Sequence, residues 1–554
     1  MKCAWLSVVL CLLLVFSHSF TFGNDADIER YFQLKIMEMS QFWSEGKIKE
    51  GTAILEELYS NDEFLKINDK RITITYGLAC GYSLLGGHDK ALDLLTEAID
   101  AGFSNYAHIQ KDSDLDNIRN DERFSEIIRR IQPRLDFWDS PFISTPYSDN
   151  LTYDEKVGGL SKLWSEIKYN FVYFDRVPEI NWDSLYMAYL PRVKTTQSTY
   201  EYYRMLQEIC VYLKDGHTAI NPPAELMNEF WAKPPIKTLI IEDKVFITDV
   251  DSDSLFQNGI IPGLEITQIN GIPVRQYVTE RIMKYICAST KQGLVRNAYG
   301  FYLLAGSVNE PVELVLKGEN GKILKETLNR EPFIYSPPKF DFNVIDSNIG
   351  YVNLPTFGSN DIYDAFDSTF NRIMQTDALI IDLRENGGGN SQVGYNILAY
   401  LTDSPFSIVQ SKATIYSGHK RARGVAEKWE VSLGNWQSNE SKFYDKPVVV
   451  LIGSFTASAA EDFVVSFDTM RRGKLIGEPT AGTTGQPLSF SLPGGGSGRV
   501  CTMRCTYPDG KEFVGSGIYP HILVKPTAGD IKSNLDVVLE TAIKYLKKSP
   551  DNHE

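Results

Sequence analysis

The sequence predicts an α/β core in the C-terminal part of the chain. Ahead of it come an all-α N-terminal region, a further helical segment and a small β-rich module. Three observations predict this. Residues 349–546 alternate apolar runs (GYVNLPTF, ALIIDLR, PVVVLIG, KLIGEPT) with helical stretches (DAFDSTFNRIMQ, SAAEDFVVSFDTM), the pattern of strands buried on both faces between helices. Residues 234–330 instead place short β-rich runs between turns. Residues 25–135 and 152–213 carry apolar side chains at helical spacing.

The chain has 554 residues, 43% hydrophobic and 23% charged, an ordinary globular composition. That length allows about three to five domains. A net charge of −15 argues against a nucleic-acid partner, because phosphate binding needs a basic face. Beyond residue 23 no run approaches the roughly 18 apolar residues of a membrane span.

The elements follow in order. Residues 1–23 open with Lys2 and an uncharged run to Phe16, followed by the small residues Ser17, Ser19, Thr21 and Gly23. This is the pattern of a signal peptide, so the expected location is extracytoplasmic, periplasmic or secreted; a retained membrane anchor is the alternative. Within 25–135, YGLACGYSLLGGHDKALDLLTEAIDAGF resembles a tetratricopeptide helix pair, either a docking surface for a partner protein or a cap. Residues 139–149 read as a linker. The helical segment 150–230 runs through LSKLWSEIKYNFVYF and YEYYRMLQEICVYL to the motif DGHT. In 234–330, NGIIPGLEITQINGIPV combines a Pro262-Gly263 turn, a strand over 264–269 and a tight Asn270-Gly271 hairpin turn. It resembles the core of a bacterial PDZ domain, which implies capture of an extended peptide by strand addition. The α/β core spans 340–548 and closes on a helix over 535–546.

Five cysteines follow residue 23: Cys80, Cys210, Cys287, Cys501 and Cys505. Their odd number and scatter exclude a disulfide framework. There is no CxxC and no HExxH, so neither a metal nor an organic cofactor is expected.

Three motifs carry chemistry. In LIIDLRENGGGN a buried strand runs into three glycines, whose amides can approach a ligand as an anion hole or merely form a turn. In GSFTASAAEDF, Ser458 follows a strand and opens a helix, the setting of an exposed nucleophile. The same residues, Ser458-x-x-Glu461, also spell a helix capping box. In KDGHT, His217 stands on a turn after a helix, as a base or as a structural histidine.

Together these motifs resemble the C-terminal processing peptidases and the core of tricorn protease, serine peptidases on a ClpP/crotonase-like α/β fold. DLRENGGG, TASAAE, GEPTAG and GSGIYPHILV correspond to family motifs in family order, with His521 in place of an Asp. The resemblance implies peptide-bond hydrolysis with Ser458 as nucleophile and the amides of Gly388 and Ala459, or of Gly387, as oxyanion donors. Where the Ser-Lys branch carries its general-base Lys, this chain has Thr483, and a hydroxyl is no general base near pH 7. The resemblance therefore moves to the tricorn-like branch, with His217 as base. It implies Glu512 as the orienting acid, placed by shared strand parity with Val514. A non-catalytic protein binding peptides or hydrophobic ligands on the same fold is the competing class.

Overall fold

A computed structural model describes residues 25–132, 140–334, 336–439 and 441–548. The signal-peptide reading lies outside them. Among the described residues no helix is long and apolar enough to cross a membrane. The chain divides into two units, residues 1–137 and 138–554.

The first unit is helical. Its main helices are Asp25–Ser44, Ile48–Tyr59, Asn68–Leu84, His88–Asp100 and Glu122–Arg129. Small residues make the packing close. A Cβ at Gly81 would stand 2.4 Å from Thr52 Oγ1, so Ile48–Tyr59 and Asn68–Leu84 approach nearly backbone to side chain. His88–Asp100 buries Leu92, Leu95 and Ile99 on one face, as its 3.6-residue period requires. The pair read from the sequence over 76–103 corresponds to the helices Asn68–Leu84 and His88–Asp100, joined through Gly86, whose φ is 78°.

In the second unit, residues 236–328 form an antiparallel sheet in the order Ile236–Ile241, Lys244–Val250, Glu265–Ile269, Val312–Lys317, Ile323–Leu328. Asn270 and Gly271 have φ of 49° and 76°, the left-handed pair that a two-residue hairpin demands. Glu242 and Asp243 turn the same way, so KTLIIEDKVFITDV is a hairpin. This sheet has its own apolar core, built around Val245, Ile266, Leu314 and Leu316.

The α/β core holds a six-stranded sheet in the order Ile522–Leu523, Gly473–Gly477, Val448–Ile452, Ala378–Asp382, Ile349–Asn353, Asp341–Ile345. All neighbours are parallel except the last pair. Val448–Ile452 and Ala378–Asp382 are buried at every residue. Each fully buried Val, Leu or Ile there contributes about 1.5–3 kcal/mol. Asp382 holds its end of the sheet in place by accepting from Tyr351 Oη and Arg384, and Arg384 also pairs with Asp536 at the start of the last helix, Val537–Leu546.

The segment 150–230, read from the sequence as a separate module, shares one core with the α/β layer. Leu160, Tyr202 and Leu206 belong to the same apolar cluster as Val450, Phe463 and Phe513. The strand Ala219–Asn221 that follows DGHT pairs with Ser497–Cys501. Cys501 and Cys505 lie in two strands of different sheets, Ser497–Cys501 and Met503–Thr506. All five cysteines are free thiols, and four are buried.

Candidate active site

Ser458 sits where the buried strand Val448–Ile452 turns into the helix Ala459–Thr469. Its φ of 57° and ψ of −128° are costly for a residue with a Cβ, of order 1–3 kcal/mol. The neighbouring backbone holds it there. Ser458 N donates to Thr483 O at 2.8 Å, and Glu461 N donates to Ser458 O at 2.7 Å. The side chain makes no capping bond, so the capping-box reading does not hold. Oγ faces His217 Nε2 instead, at 3.0 Å.

His217 is 6% exposed. Burial lowers its pKa from 6.5 to about 4; the Asp215 carboxylate acts in the opposite sense, and Arg499 reinforces the lowering. The imidazole is therefore neutral at pH 7, as a base must be. Its loop is held from the β-rich module. Gly216 N donates to Ser289 Oγ at 3.0 Å, and Asp215 N to Cys287 Sγ at 3.2 Å.

The other ring nitrogen, Nδ1, lies 2.9 Å from Thr483 Oγ1. Thr483 N in turn donates to Glu461 Oε2 at 2.7 Å. Glu461 is fully buried and also accepts from Gly482 N at 2.8 Å and from the Thr480 hydroxyl. Burial pushes its pKa up to about 7, against the pull of these three donors. Asp462, beside it, accepts from Ser391 Oγ and Thr484 Oγ1, and burial raises its pKa to about 6.

Glu512 is not in this group. It pairs with Arg176 at 2.5 Å, its side chain is 55% exposed, and His217 Nδ1 meets Thr483. The parity argument fails because residues 511–516 form no strand; a single bridge joins Glu512 to Thr506.

The glycine loop lies directly against Ser458. A Cβ on Gly388, whose φ is +98°, would come within 2.5 Å of Ser458 Cβ and 2.9 Å of Ala459 N. The Gly388 amide, however, donates to Asn386 Oδ1 at 2.8 Å. That differs from its expected role as a free donor. Among the described residues, the amides of Gly387 and Ala459 have no protein acceptor. Asn386 is the buried clamp of this loop: its Nδ2 donates to Leu354 O, and its carbonyl accepts from Ala457 N. The GEPTAG and GSGIYP loops meet backbone to backbone, since a Cβ on Gly482 would stand 2.6 Å from Gly517 N.

The site opens into a cleft of about 660 Å³ lined by His217, Gly387, Ser391, Phe455, Ser458, Thr483 and Arg499, among others. Sequence reasoning missed Thr483, Glu461, Asn386 and Arg499 as parts of the site. Glu461 and Asn386 stood inside quoted motifs and Thr483 directly after GEPTAG, but nothing in the sequence marks Arg499.

Residues 348–524 match the family model for peptidase family S41, and residues 154–210 that for the tricorn protease C1 domain. A carboxyl-terminal-processing protease of Synechocystis sp. is 26% identical over 252 residues, covering 44% of this chain and 55% of that protein. A carboxy-terminal-processing protease of Bartonella bacilliformis is 23% identical over 304 residues, covering 53% and 61%. The matches thus span little more than half the length of these relatives. Among solved structures, mature CPAF aligns with a TM-score of 0.57 at 15% identity, over 72% of this chain and 98% of that one, which speaks to the fold alone. The α/β core is thus similar to peptidase family S41 and the helical segment to the tricorn C1 domain, on a fold shared with mature CPAF.

Proposed function

We propose that this chain is a serine endopeptidase acting outside the cytoplasm, with Ser458 as nucleophile and His217 as general base. The observation that carries the reading is the 3.0 Å approach of His217 Nε2 to Ser458 Oγ, with the other ring nitrogen engaged by Thr483. With Nδ1–H donated to the Thr483 hydroxyl, Nε2 presents its lone pair to Ser458. Oγ attacks the scissile carbonyl while Nε2 takes its proton, and the imidazolium then returns that proton to the leaving amine. Thr483 orients the ring but carries no charge. Asp215, buried and bonded to Thr218 Oγ1 at 2.7 Å, supplies negative charge that favours the imidazolium. The free amides of Gly387 and Ala459 receive the oxyanion, and loss of one such donor costs about 3–4 kcal/mol of the barrier. Water then resolves the acyl-enzyme by the same route in reverse.

The substrate is a protein or peptide. The β-rich module, resembling a PDZ domain, is read as its capture surface, and the N-terminal helices, resembling tetratricopeptide repeats, as the site of a partner protein.

Fluorophosphonate labelling tests this reading. Wild-type protein should be labelled, while Ser458→Ala should not be and His217→Ala should react far more slowly. Equal labelling of wild type and Ser458→Ala, or labelling of neither, overturns it.

A further inference from the structure

One cation in the cleft has no counter-charge. Arg499 lies in the middle strand of the sheet formed by Ala219–Asn221, Ser497–Cys501 and Pro487–Ser491, opposite Ala219 and hence two residues beyond His217. Strand pairing on both sides fixes where its side chain starts. Among the described residues no carboxylate lies within ion-pair distance of it. Its Nε is buried without a hydrogen-bond partner. Its one hydrogen bond, Nη2 to Gly216 O, is long at 3.4 Å. Yet it lines the same cleft as Ser458 and His217.

A guanidinium left in this state is unfavourable, because its Nε donor has given up water without recovering an equivalent bond. The acidic residue that shares the cleft, Asp462, is already engaged by Ser391 and Thr484. Among the described residues nothing satisfies its Nε, and the partly exposed fork is open to a ligand. The planar pair of N–H groups fits a carboxylate. The same cleft wall carries the uncharged Phe455, Pro487 and Met503. It therefore suits a peptide chain bearing one acidic group.

We propose that Arg499 is a specificity-determining residue that receives a substrate carboxylate, from an Asp or Glu side chain or from a free C-terminus, next to Ser458. This rests on the peptidase reading of the same cleft.

The test uses the full chain carrying Ser458→Ala, so that binding is measured without turnover. The probes are synthetic dodecapeptide mixtures made with or without Asp and Glu, each as C-terminal acid and as C-terminal amide. Bound peptides are identified by mass spectrometry. One carboxylate source should enrich about tenfold over its neutral counterpart, the scale of one charge-assisted bond. Adding Arg499→Gln should erase that enrichment; adding Arg499→Lys should keep part of it. The arm that responds names the source, side chain or terminus. Absence of carboxylate enrichment, or enrichment unchanged by Arg499→Gln, overturns the proposal. Should Arg499→Gln fail to fold, a full-strength preference in Arg499→Lys overturns it, and a reduced one supports it. Fluorophosphonate labelling of wild type reads the peptidase assignment separately.

Discussion

Thr483 meets His217, Ser458 and Glu461 through three different atoms. Its hydroxyl lies 2.9 Å from His217 Nδ1, its carbonyl accepts the Ser458 amide at 2.8 Å, and its own amide donates to the buried Glu461 at 2.7 Å. A residue that the sequence marks as a lost general base is, in the fold, the group bonded to both Ser458 and His217.

The hydroxyl should therefore be measurable. Thr483→Val keeps the shape and removes the bond to Nδ1, so kcat/KM should fall by about tenfold or more, the value of one buried hydrogen bond. Thr483→Ser should restore most of it. Glu512→Gln, which breaks a half-exposed pair with Arg176, should change kcat/KM by less than about threefold. A large loss in Glu512→Gln with little change in Thr483→Val would return the orienting role to Glu512.

The pH profile should carry the mark of a buried base. Burial lowers the His217 pKa to about 4, and only the neutral ring accepts the serine proton. The acid limb of kcat/KM should accordingly fall near pH 4 and not near 6.5. The stability sign agrees. The unfolded chain binds this proton from about pH 6.5 downward and the folded chain only from about pH 4. This group's contribution is therefore present above pH 6.5 and is lost as pH falls toward 4. Denaturant titrations of wild type and His217→Phe between these values should diverge in that direction.

Glu461 supports Thr483 from behind. In Glu461→Gln one oxygen can still serve Thr480 and Gly482, but the new amide would face the Thr483 N–H, donor against donor. An unsatisfied buried donor costs about 1–3 kcal/mol. The variant should lose about that much stability in denaturant unfolding, and kcat should fall more than KM rises.

Gly388 has no tolerance for a side chain. At a φ of +98°, with a would-be Cβ 2.5 Å from Ser458 Cβ, Gly388→Ala displaces either the loop or the nucleophile. Fluorophosphonate labelling should drop by at least about a hundredfold, the scale of a lost oxyanion site. Gly387→Ala, whose Cβ would meet only the Phe455 ring at 3.5 Å, should be milder.

The strand and helix alternation of the core, the Asn270-Gly271 turn and the turns that carry Ser458 and His217 were legible in the sequence because each is encoded locally. An apolar run buries itself, a glycine pair permits a left-handed turn, and a serine or histidine in a glycine-rich turn announces its own chemistry. The Ser458 capping reading was equally local, and it failed because the backbone at Ser458 has a φ of 57° and its side chain turns to a histidine 241 positions away. Glu512 failed for the opposite reason: parity speaks of faces only within a strand, and there is none at 511–516.

The residue types and motifs alone thus determined a serine, a histidine and a glycine loop on an α/β layer. Which group meets the second nitrogen of that histidine was decided only in three dimensions. Thr483 and His217 stand 266 residues apart, and Arg499 faces the cleft through a pairing with Ala219 that spans 280 positions. Such partners are chosen by how loops from distant elements pack, and no local spacing records that choice.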